Sequence, residues 1–326
     1  MTHKTVLPSR PVATKDVEKG KIQLDEFGYT VHESLLSDGD VERLRDRLEE
    51  QASLECEEGV ATYRLAGAGA IGDRRLGAPP ECANPVWQAV LALPNKGRPF
   101  IDLAMNETVM AYGRHLFGDI HFYMSQSTGL IVRRGSGGQV LHSDQIPIPF
   151  PTPRPVYFHA MVAISDFELG MGVTEVVPGS QLWPSPRIAL DPQSGKAITL
   201  ETCEADPMVC KAGSAVVFES RVWHRQGTST SDKTRLSILN GYCMHFIRPQ
   251  DDYVASLHDD VYSALTDAER RVFGFEVVSE YTGRVFPRYP GDTRASVNAR
   301  FPYIPELSRG SGRRALPFQG MGTEET

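Results

Sequence analysis

The sequence predicts a mainly β fold with flanking helices, arranged as a sandwich or jelly roll, and three observations carry that expectation. The two amphipathic helical patterns lie ahead of residue 117, short runs rich in β-branched and aromatic residues begin at residue 121, and clusters of glycine, proline and serine bound those runs. Several such strands with polar turns pack as layered sheets, with the early helices outside them. Without an internal repeat or a linker, one domain is expected over residues 22–307, with a jelly-roll core at about 120–248. An N-terminal arm over 1–21 and a disordered tail over 308–326 flank it.

Taken in order, residues 22–52 read as a short strand entering a helix. Phe27-Gly28-Tyr29-Thr30-Val31 supplies the strand, Ser37 or Asp38 the N-cap, and Val41, Leu44, Leu48 and Ala52 the buried helical stripe. Residues 60–82 hold a glycine-rich stretch at 65–72 and then Arg74-Arg75. They suit a loop, either a lid or pocket wall or a plain surface connection, and no Lys-Ser or Lys-Thr pair makes it a phosphate loop. Pro99 opens a second helix running to Leu116, with Phe100, Leu103, Val109 and His115 at helical spacing. Strands are then expected at 121–124, 129–132, 156–164, 214–218 and 236–242.

Composition narrows the function classes. The 326 residues are 40% apolar, enough for a packed core, and carry a net charge of −7 with scattered lysines and arginines, which argues against a nucleic-acid-binding face. No run of about 18 apolar residues offers a membrane span, and the first twenty residues lack the apolar core of a secretion signal. Five cysteines (Cys56, Cys82, Cys203, Cys210, Cys243) are odd in number and widely spaced, as expected of a reduced, cytoplasmic protein. Cys203 and Cys210 lack zinc spacing.

The chemistry centres on His142-Ser143-Asp144, followed by His224 and Arg235. Two imidazoles and one carboxylate on one face of an octahedral ion form the facial triad of non-haem iron(II) oxygenases, which leaves three adjacent positions for cosubstrate and oxygen. A guanidinium fork pairs with a carboxylate, so a keto acid chelating the metal at one end would be anchored by Arg235 at the other. A His-x-Asp tripeptide alone is weak among nine histidines. His258-Asp259-Asp260 repeats the spacing, but it holds the last histidine of the chain in a polar stretch and reads as solvated surface. By contrast, His142 precedes Ile146-Pro147-Ile148-Pro149-Phe150-Pro151, a segment suited to wall an apolar pocket. Trp223-His224 follows a strand ending at Phe218, and Arg235 comes 11 residues after His224 at the head of the next strand. If those strands are antiparallel neighbours joined by the turn at 227–233, both side chains lie near one end of the barrel. Among other candidates, His115, His121 and His159 read as core or strand residues. Trp183, Trp223, Phe150 and Phe218 read as core, with cavity lining the alternative.

Phe27-Gly28-Tyr29, Gln126 within Ser125-Gln126-Ser127, the run 138–145 around His142 and Asp144, the run 172–180, and the spacing of His224 and Arg235 together make residues 22–249 resemble the phytanoyl-CoA dioxygenase family of iron(II) and 2-oxoglutarate oxygenases. The resemblance implies a double-stranded β-helix (jelly roll, cupin-like) with iron(II) held by His142, Asp144 and His224. It places the distal carboxylate of 2-oxoglutarate on Arg235, with Thr174, Gln126 and Gln139 as further cosubstrate contacts. Met171 and Gln181 depart from the asparagine and histidine often found at those places. Asp144 stands where halogenating relatives carry a small residue, which favours hydroxylation.

Residues 243–249, with Gly138-Gln139, look more like the natural-product branch than the acyl-CoA branch. The implied reaction consumes O2 and 2-oxoglutarate, oxidises an unactivated C–H bond of a hydrophobic small molecule such as a terpenoid, and releases succinate and CO2; desaturation or rearrangement are the other outcomes of such chemistry. Competing readings are an acyl-CoA 2-hydroxylase, a jelly-roll hydrolase or isomerase with zinc or another ion, and a non-catalytic binding protein. The hydrolase would have no need of Arg235. Acidic net charge argues against coenzyme A, although Arg74, Arg75, Arg133 and Arg134 offer a local anion site. The stretches 65–72 and 277–288 are expected to form a lid or a homodimer contact.

Overall fold

The computed structural model describes residues 10–65, 74–79, 85–145, 148, 150–183, 205–276, 278–279 and 282. The expectations for most of the N-terminal arm, most of the glycine-rich stretch, Ile146, Pro147 and Pro149, Cys82 and Cys203, most of 277–288 and the tail therefore lie outside the described residues. The chain divides into two compact units, Met1–Gly274 and Phe275–Thr326. That division falls inside the span 22–307 expected as one domain, and nearly all of the second unit lies outside the described residues.

The first unit opens with helix α1 (Val17–Phe27), ahead of the boundary expected at residue 22. Asp16 caps it by accepting the N–H groups of Glu18 and Lys19, and Gly28, at φ 80°, ends it in the left-handed conformation. Phe27 and Gly28 were expected in a strand. They close a helix instead, and strand β1 begins one residue later (Tyr29–His32). Helix α2 (Asp38–Glu57) starts from Ser37 with a reciprocal capping box to Asp40. Strands β2 (Thr62–Arg64), β3 (Arg75–Leu76) and β4 (Trp87–Val90) follow. The single helix expected from Pro99 to Leu116 is two, α3 (Arg98–Ala104) and α4 (Glu107–Phe117), because the Asn106 side chain accepts from Thr108 and Val109 and starts a new helix.

The remaining strands are β5 (Phe122–Val132), β6 (Tyr157–Ala163), β7 (Thr174–Val176), β8 (Asp206–Pro207), β9 (Ala215–Glu219), β10 (His224–Gln226) and β11 (Arg235–Met244), followed by three short helices. With β1 to β4 they form an antiparallel eight-stranded sheet in the order β1-β9-β6-β11-β5-β4-β2-β3 and a three-stranded sheet in the order β10-β7-β8. The result is a mainly β jelly roll with flanking helices. The two strands expected at 121–124 and 129–132 are one continuous strand.

Strands β6 and β11 lie at the middle of the large sheet and are covered on both faces. On the outer face, Phe158 stacks on Tyr242 at 4.8 Å and meets Phe117 of α4 edge-on at 5.5 Å. On the inner face, Met161, Ala163, Val216 and Phe218 join Val173, Val176 and Met208 in the core beneath the small sheet. Burying each of the valine, methionine and phenylalanine side chains contributes about 1.5–3 kcal/mol. Among the described residues, no helix is long and apolar enough to cross a membrane.

Helix α2 crosses the outer face of β5 where Gly129 leaves room for Leu48, which is fully buried; a Cβ at Gly129 would meet Leu48 Cδ1 at 2.2 Å. Gly129→Ala is expected to lower unfolding stability by about 1–3 kcal/mol, an overpacking cost. In denaturant melts, the double variant Gly129→Ala/Leu48→Ala should lose less than the sum of the two single losses.

Candidate active site

His142 and His224 face each other across an isolated antiparallel bridge. Each donates its backbone N–H to the other's carbonyl, at 3.0 and 2.8 Å, and their rings sit 4.5 Å apart. In both, Nδ1 meets the carbonyl two residues back, Val140 at 2.9 Å and Val222 at 3.1 Å. Only a protonated Nδ1 can use a carbonyl, so that contact assigns the proton to Nδ1 and leaves Nε2 with its lone pair directed into the site. Burial pushes the His224 imidazole down to about 4, against the pull of Asp144, and a neutral ring is what a metal ligand requires.

Asp144 lies between the two rings. Its Oδ1 is 3.7 Å from His142 Nε2 and its Oδ2 is 3.4 Å from His224 Nε2. Burial opposes its ionisation, but His224, His159 and His142 outweigh burial and hold the carboxyl well below the usual carboxylate range. One donor atom from each of His142, Asp144 and His224 lies within 4.8 Å of the others. Two imidazoles and a carboxylate at that spacing fit a divalent ion such as iron(II). Among the described residues, no other group of three was found that could hold one.

The same pocket, about 480 Å³, takes in Gln126, Gln139, Thr174 and Arg235. Arg235 is 1% exposed, and its Nε and Nη1 are buried without a hydrogen-bond partner. Burial pulls this guanidinium down to about 10, so it is a cation at neutral pH. An unpaired cation inside a protein is costly and calls for an anion. Gln139 is partly committed: its side-chain oxygen accepts the Gln226 N–H at 3.0 Å. The Thr174 hydroxyl sits 3.4 Å from the Met161 sulfur, and the structure holds Gln126 on β5 against Gly241.

One expectation about the site needs correction. His224 and Arg235 were expected on adjacent antiparallel strands, but β10 belongs to the three-stranded sheet and β11 to the eight-stranded one. Between them the chain is tied to the loop after β6, where Thr230 and Ser231 donate to the Gly170 carbonyl, and it crosses from one sheet to the other. The two side chains reach the pocket from opposite layers. Of the four arginines offered as an anion site, only Arg74 lines the pocket, lying 5.4 Å over the Trp87 ring; Arg134 pairs with Asp232, and Arg133 donates to the Pro85 carbonyl. Phe218 lines the pocket, Trp183 and Trp223 pack in a separate cluster, and Phe150 is exposed.

Sequence reasoning missed the rest of the pocket lining, which includes Trp87, Ala89 and Leu91, Thr128 and Leu239, and Gln250 and Asp251. The strand residues could have been found by period-two alternation once the registers were known. Asp251 could not, since it lies beyond the last strand. It is placed by its backbone N–H on the Ser125 carbonyl at 2.7 Å and by Tyr253 Oη donating to its carboxylate at 3.1 Å. Burial pushes its carboxyl up, and the Tyr253 hydrogen bond works the other way. His159, expected as a satisfied core residue, points instead at Asp144.

A jelly roll that gathers two imidazoles, a carboxylate and an unpaired buried arginine around one pocket defines the class of iron(II)- and 2-oxoglutarate-dependent dioxygenases. The chain belongs to the phytanoyl-CoA dioxygenase (PhyH) family, whose pattern matches residues 24–237. It is 25% identical to the dioxygenase af480 of Aspergillus fumigatus over 87% of either chain, and 28% identical to the uncharacterized protein Rv1501 of Mycobacterium tuberculosis over 78% of this chain and 86% of that one. Among solved structures, its fold is similar to that of the epimerase SnoN in complex with Fe3+, α-ketoglutarate and nogalamycin RO, with a TM-score of 0.56 and 19% identity, over 75% of this chain and 92% of that one. It is also similar to HygX from Streptomyces hygroscopicus with nickel, 2-oxoglutarate and hygromycin B bound, with a TM-score of 0.51 and 18% identity, over 71% and 88%.

Arg235→Met removes an unpaired buried cation. In the metal-free protein it is expected to leave thermal stability unchanged or to raise it by about 1–3 kcal/mol, the cost of an unsatisfied buried polar group. A clear loss in a calorimetric melt would mean that Arg235 is structurally paired.

Proposed function

We propose that this chain oxidises a C–H bond of an amphipathic natural product, hydroxylation being the outcome that the presence of Asp144 favours, with His142, Asp144 and His224 holding iron(II) and Arg235 the distal carboxylate of 2-oxoglutarate. The observation that carries this reading is the unpaired, buried Arg235 in the same pocket as the three ligands. A hydrolase or isomerase using the same ligands gives that costly cation nothing to do. When bound, iron(II) and 2-oxoglutarate supply the oxidant from O2, with succinate and CO2 as by-products.

The residues of the chain do the binding and orienting. His142 and His224 present Nε2 because their Nδ1 protons are held by carbonyls. Arg235 offers a fork to one end of a dicarboxylate, and Thr174 and Gln126 offer further hydrogen bonds along it, with the Gln139 amide nitrogen beside them. Burial of the guanidinium keeps water away from that pairing. On the substrate side, Trp87, Ala89, Leu91 and Leu239 form an apolar wall, and Gln250, Asp251 and Thr128 supply polar groups. This mixed lining supports an amphipathic substrate with hydrogen-bond donors over a purely hydrocarbon one. Two solved structures of similar fold hold small organic molecules, nogalamycin RO and hygromycin B, which supports a small-molecule substrate.

Anaerobic titration of the metal-free protein with iron(II) and 2-oxoglutarate is expected to develop the visible charge-transfer band of a chelated keto acid. In Arg235→Ala, the band should require roughly 10–100-fold more 2-oxoglutarate, the range for losing hydrogen bonds to a charged group. No band from folded, metal-bound wild type would overturn the proposal and bring the hydrolase or isomerase forward. Once succinate release identifies a substrate, Asp251→Asn is expected to raise its KM by about 10-fold, one charge-assisted hydrogen bond, and to leave the 2-oxoglutarate titration unchanged.

A further inference from the structure

We propose that His159 is a positioning residue for the metal-binding carboxylate: its Nε2–H holds one oxygen of Asp144, so that only the other oxygen is offered to the ion. The inference rests on the metal-site reading above. His159 Nε2 lies 3.0 Å from Asp144 Oδ2, the shortest approach of the three histidines to that carboxylate. The imidazole belongs to a different element from the other two. It rises from β6, in the middle of the large sheet, whereas His142 and His224 come from the bridge at the edge of the small one.

His159 fits poorly as a plain core residue. It is 0% exposed, and every other position of β6 is filled by Tyr157, Phe158, Ala160, Met161, Val162 or Ala163. Apart from the Asp144 contact, both of its ring nitrogens are buried without a hydrogen-bond partner, and that contact is short without being aligned for a linear hydrogen bond. An imidazole left in this condition costs stability that a leucine would not. Polar contacts at catalytic sites are often misaligned before the ligands arrive and tighten on binding.

The ring is also caged, which a positioning role requires. Directly opposite His159 in the sheet stand Phe218 on β9 and Gly241 on β11. The Phe218 ring lies 5.2 Å away on one side. On the other, a Cβ at Gly241 would come within 2.9 Å of His159 Nδ1 and 3.1 Å of Cε1. Gly241 sits where the β11–β5 pairing shifts register, and its missing side chain is the space that the imidazole occupies.

The division of labour follows from donor chemistry. His142 and His224 have their Nδ1 protons committed to carbonyls, so their Nε2 atoms are acceptors suited to a metal. His159 has no such anchor. A carboxylate only accepts, so the nitrogen that meets it carries a proton and is unavailable as a ligand. His159 is also outside the set of three donors close enough to share an ion. A carboxylate gripped at one oxygen binds through the other and leaves open the coordination positions needed by a bidentate cosubstrate and oxygen.

The test compares wild type with His159→Leu and His159→Gln. Each is titrated anaerobically with cobalt(II) alone, read by its visible spectrum, and then with iron(II) and 2-oxoglutarate, read by the charge-transfer band. His159→Leu is expected to fold, to bind cobalt(II) roughly 10–100-fold more weakly, the usual effect of losing a partner of a metal ligand, and to show a shifted band. His159→Gln, whose amide N–H reaches the same region, should recover most of the loss. A folded His159→Leu with wild-type cobalt affinity and an unshifted spectrum overturns the proposal. If neither variant folds, a crystal structure of cobalt-loaded wild type decides. One Asp144 oxygen on the metal with the other against His159 supports it, and a bidentate Asp144 or an imidazole on the metal refutes it. Wild type that binds cobalt(II) but gives no band with iron(II) and 2-oxoglutarate would sink the oxygenase reading alone, because the cobalt comparison still reports on His159. Wild type that binds no metal would sink both.

Discussion

Two backbone hydrogen bonds, exchanged between His142 and His224, are the constraint on which the site depends. Each is a modest interaction, about 1 kcal/mol net, but together they tie the loop that follows β5 to the short strand β10. A directly opposed antiparallel pair sends both side chains to the same face. That geometry turns two histidines far apart in sequence into neighbours and places Asp144, two residues on, between them. Carbonyls two residues back then orient each ring. The inner surface of the large sheet supplies Arg235, Gln126 and Phe218 around this bridge, and Thr174 comes from the small sheet.

The jelly roll permits such a site because its inner layer is only partly filled with hydrocarbon. Toward β1 and the small sheet, Tyr29, Val31, Val216 and Val176 form a dry core. Toward β5 and β11, the same layer carries Gln126, His159 and Arg235, and two of these have buried nitrogens lacking regular hydrogen bonds. A protein selected for stability alone would place apolar residues there. The flanking helices and the aromatic stack of Phe117, Phe158 and Tyr242 cover the outer face of the same strands and offset that loss.

Much of this was legible in the residues. Capping chemistry at Ser37 located α2, and β-branched and aromatic runs located β6, β9 and β11 to within about two residues. The order of His142, Asp144, His224 and Arg235 pointed to one metal and one carboxylate. Elsewhere, local signals competed. Phe27-Gly28-Tyr29 has strand-like composition, yet Gly28 in the left-handed region is a helix terminator. Pro99 to Leu116 has one helical period, yet Asn106 offers its side chain to a second start. The turn between β10 and β11 resembles a hairpin, but its backbone hydrogen bonds go to Ser136, Gly170 and Val173, and the chain passes from one sheet to the other.

What the sequence determined by itself is the chemistry available: which residues can ligate a metal, which cation can take a carboxylate, and a strand-rich scaffold to hold them. Those follow from side-chain type and from local periodicity, which are properties of short stretches of chain. Only the tertiary structure decided which of nine histidines meet. His159 lies in an apolar run and reads as core until β6 is set between β9 and β11, where Gly241 makes room for its ring and Asp144 faces it. Strand order and register are fixed by burial across the whole sheet, and a one-residue slip would turn the same histidine to the opposite face.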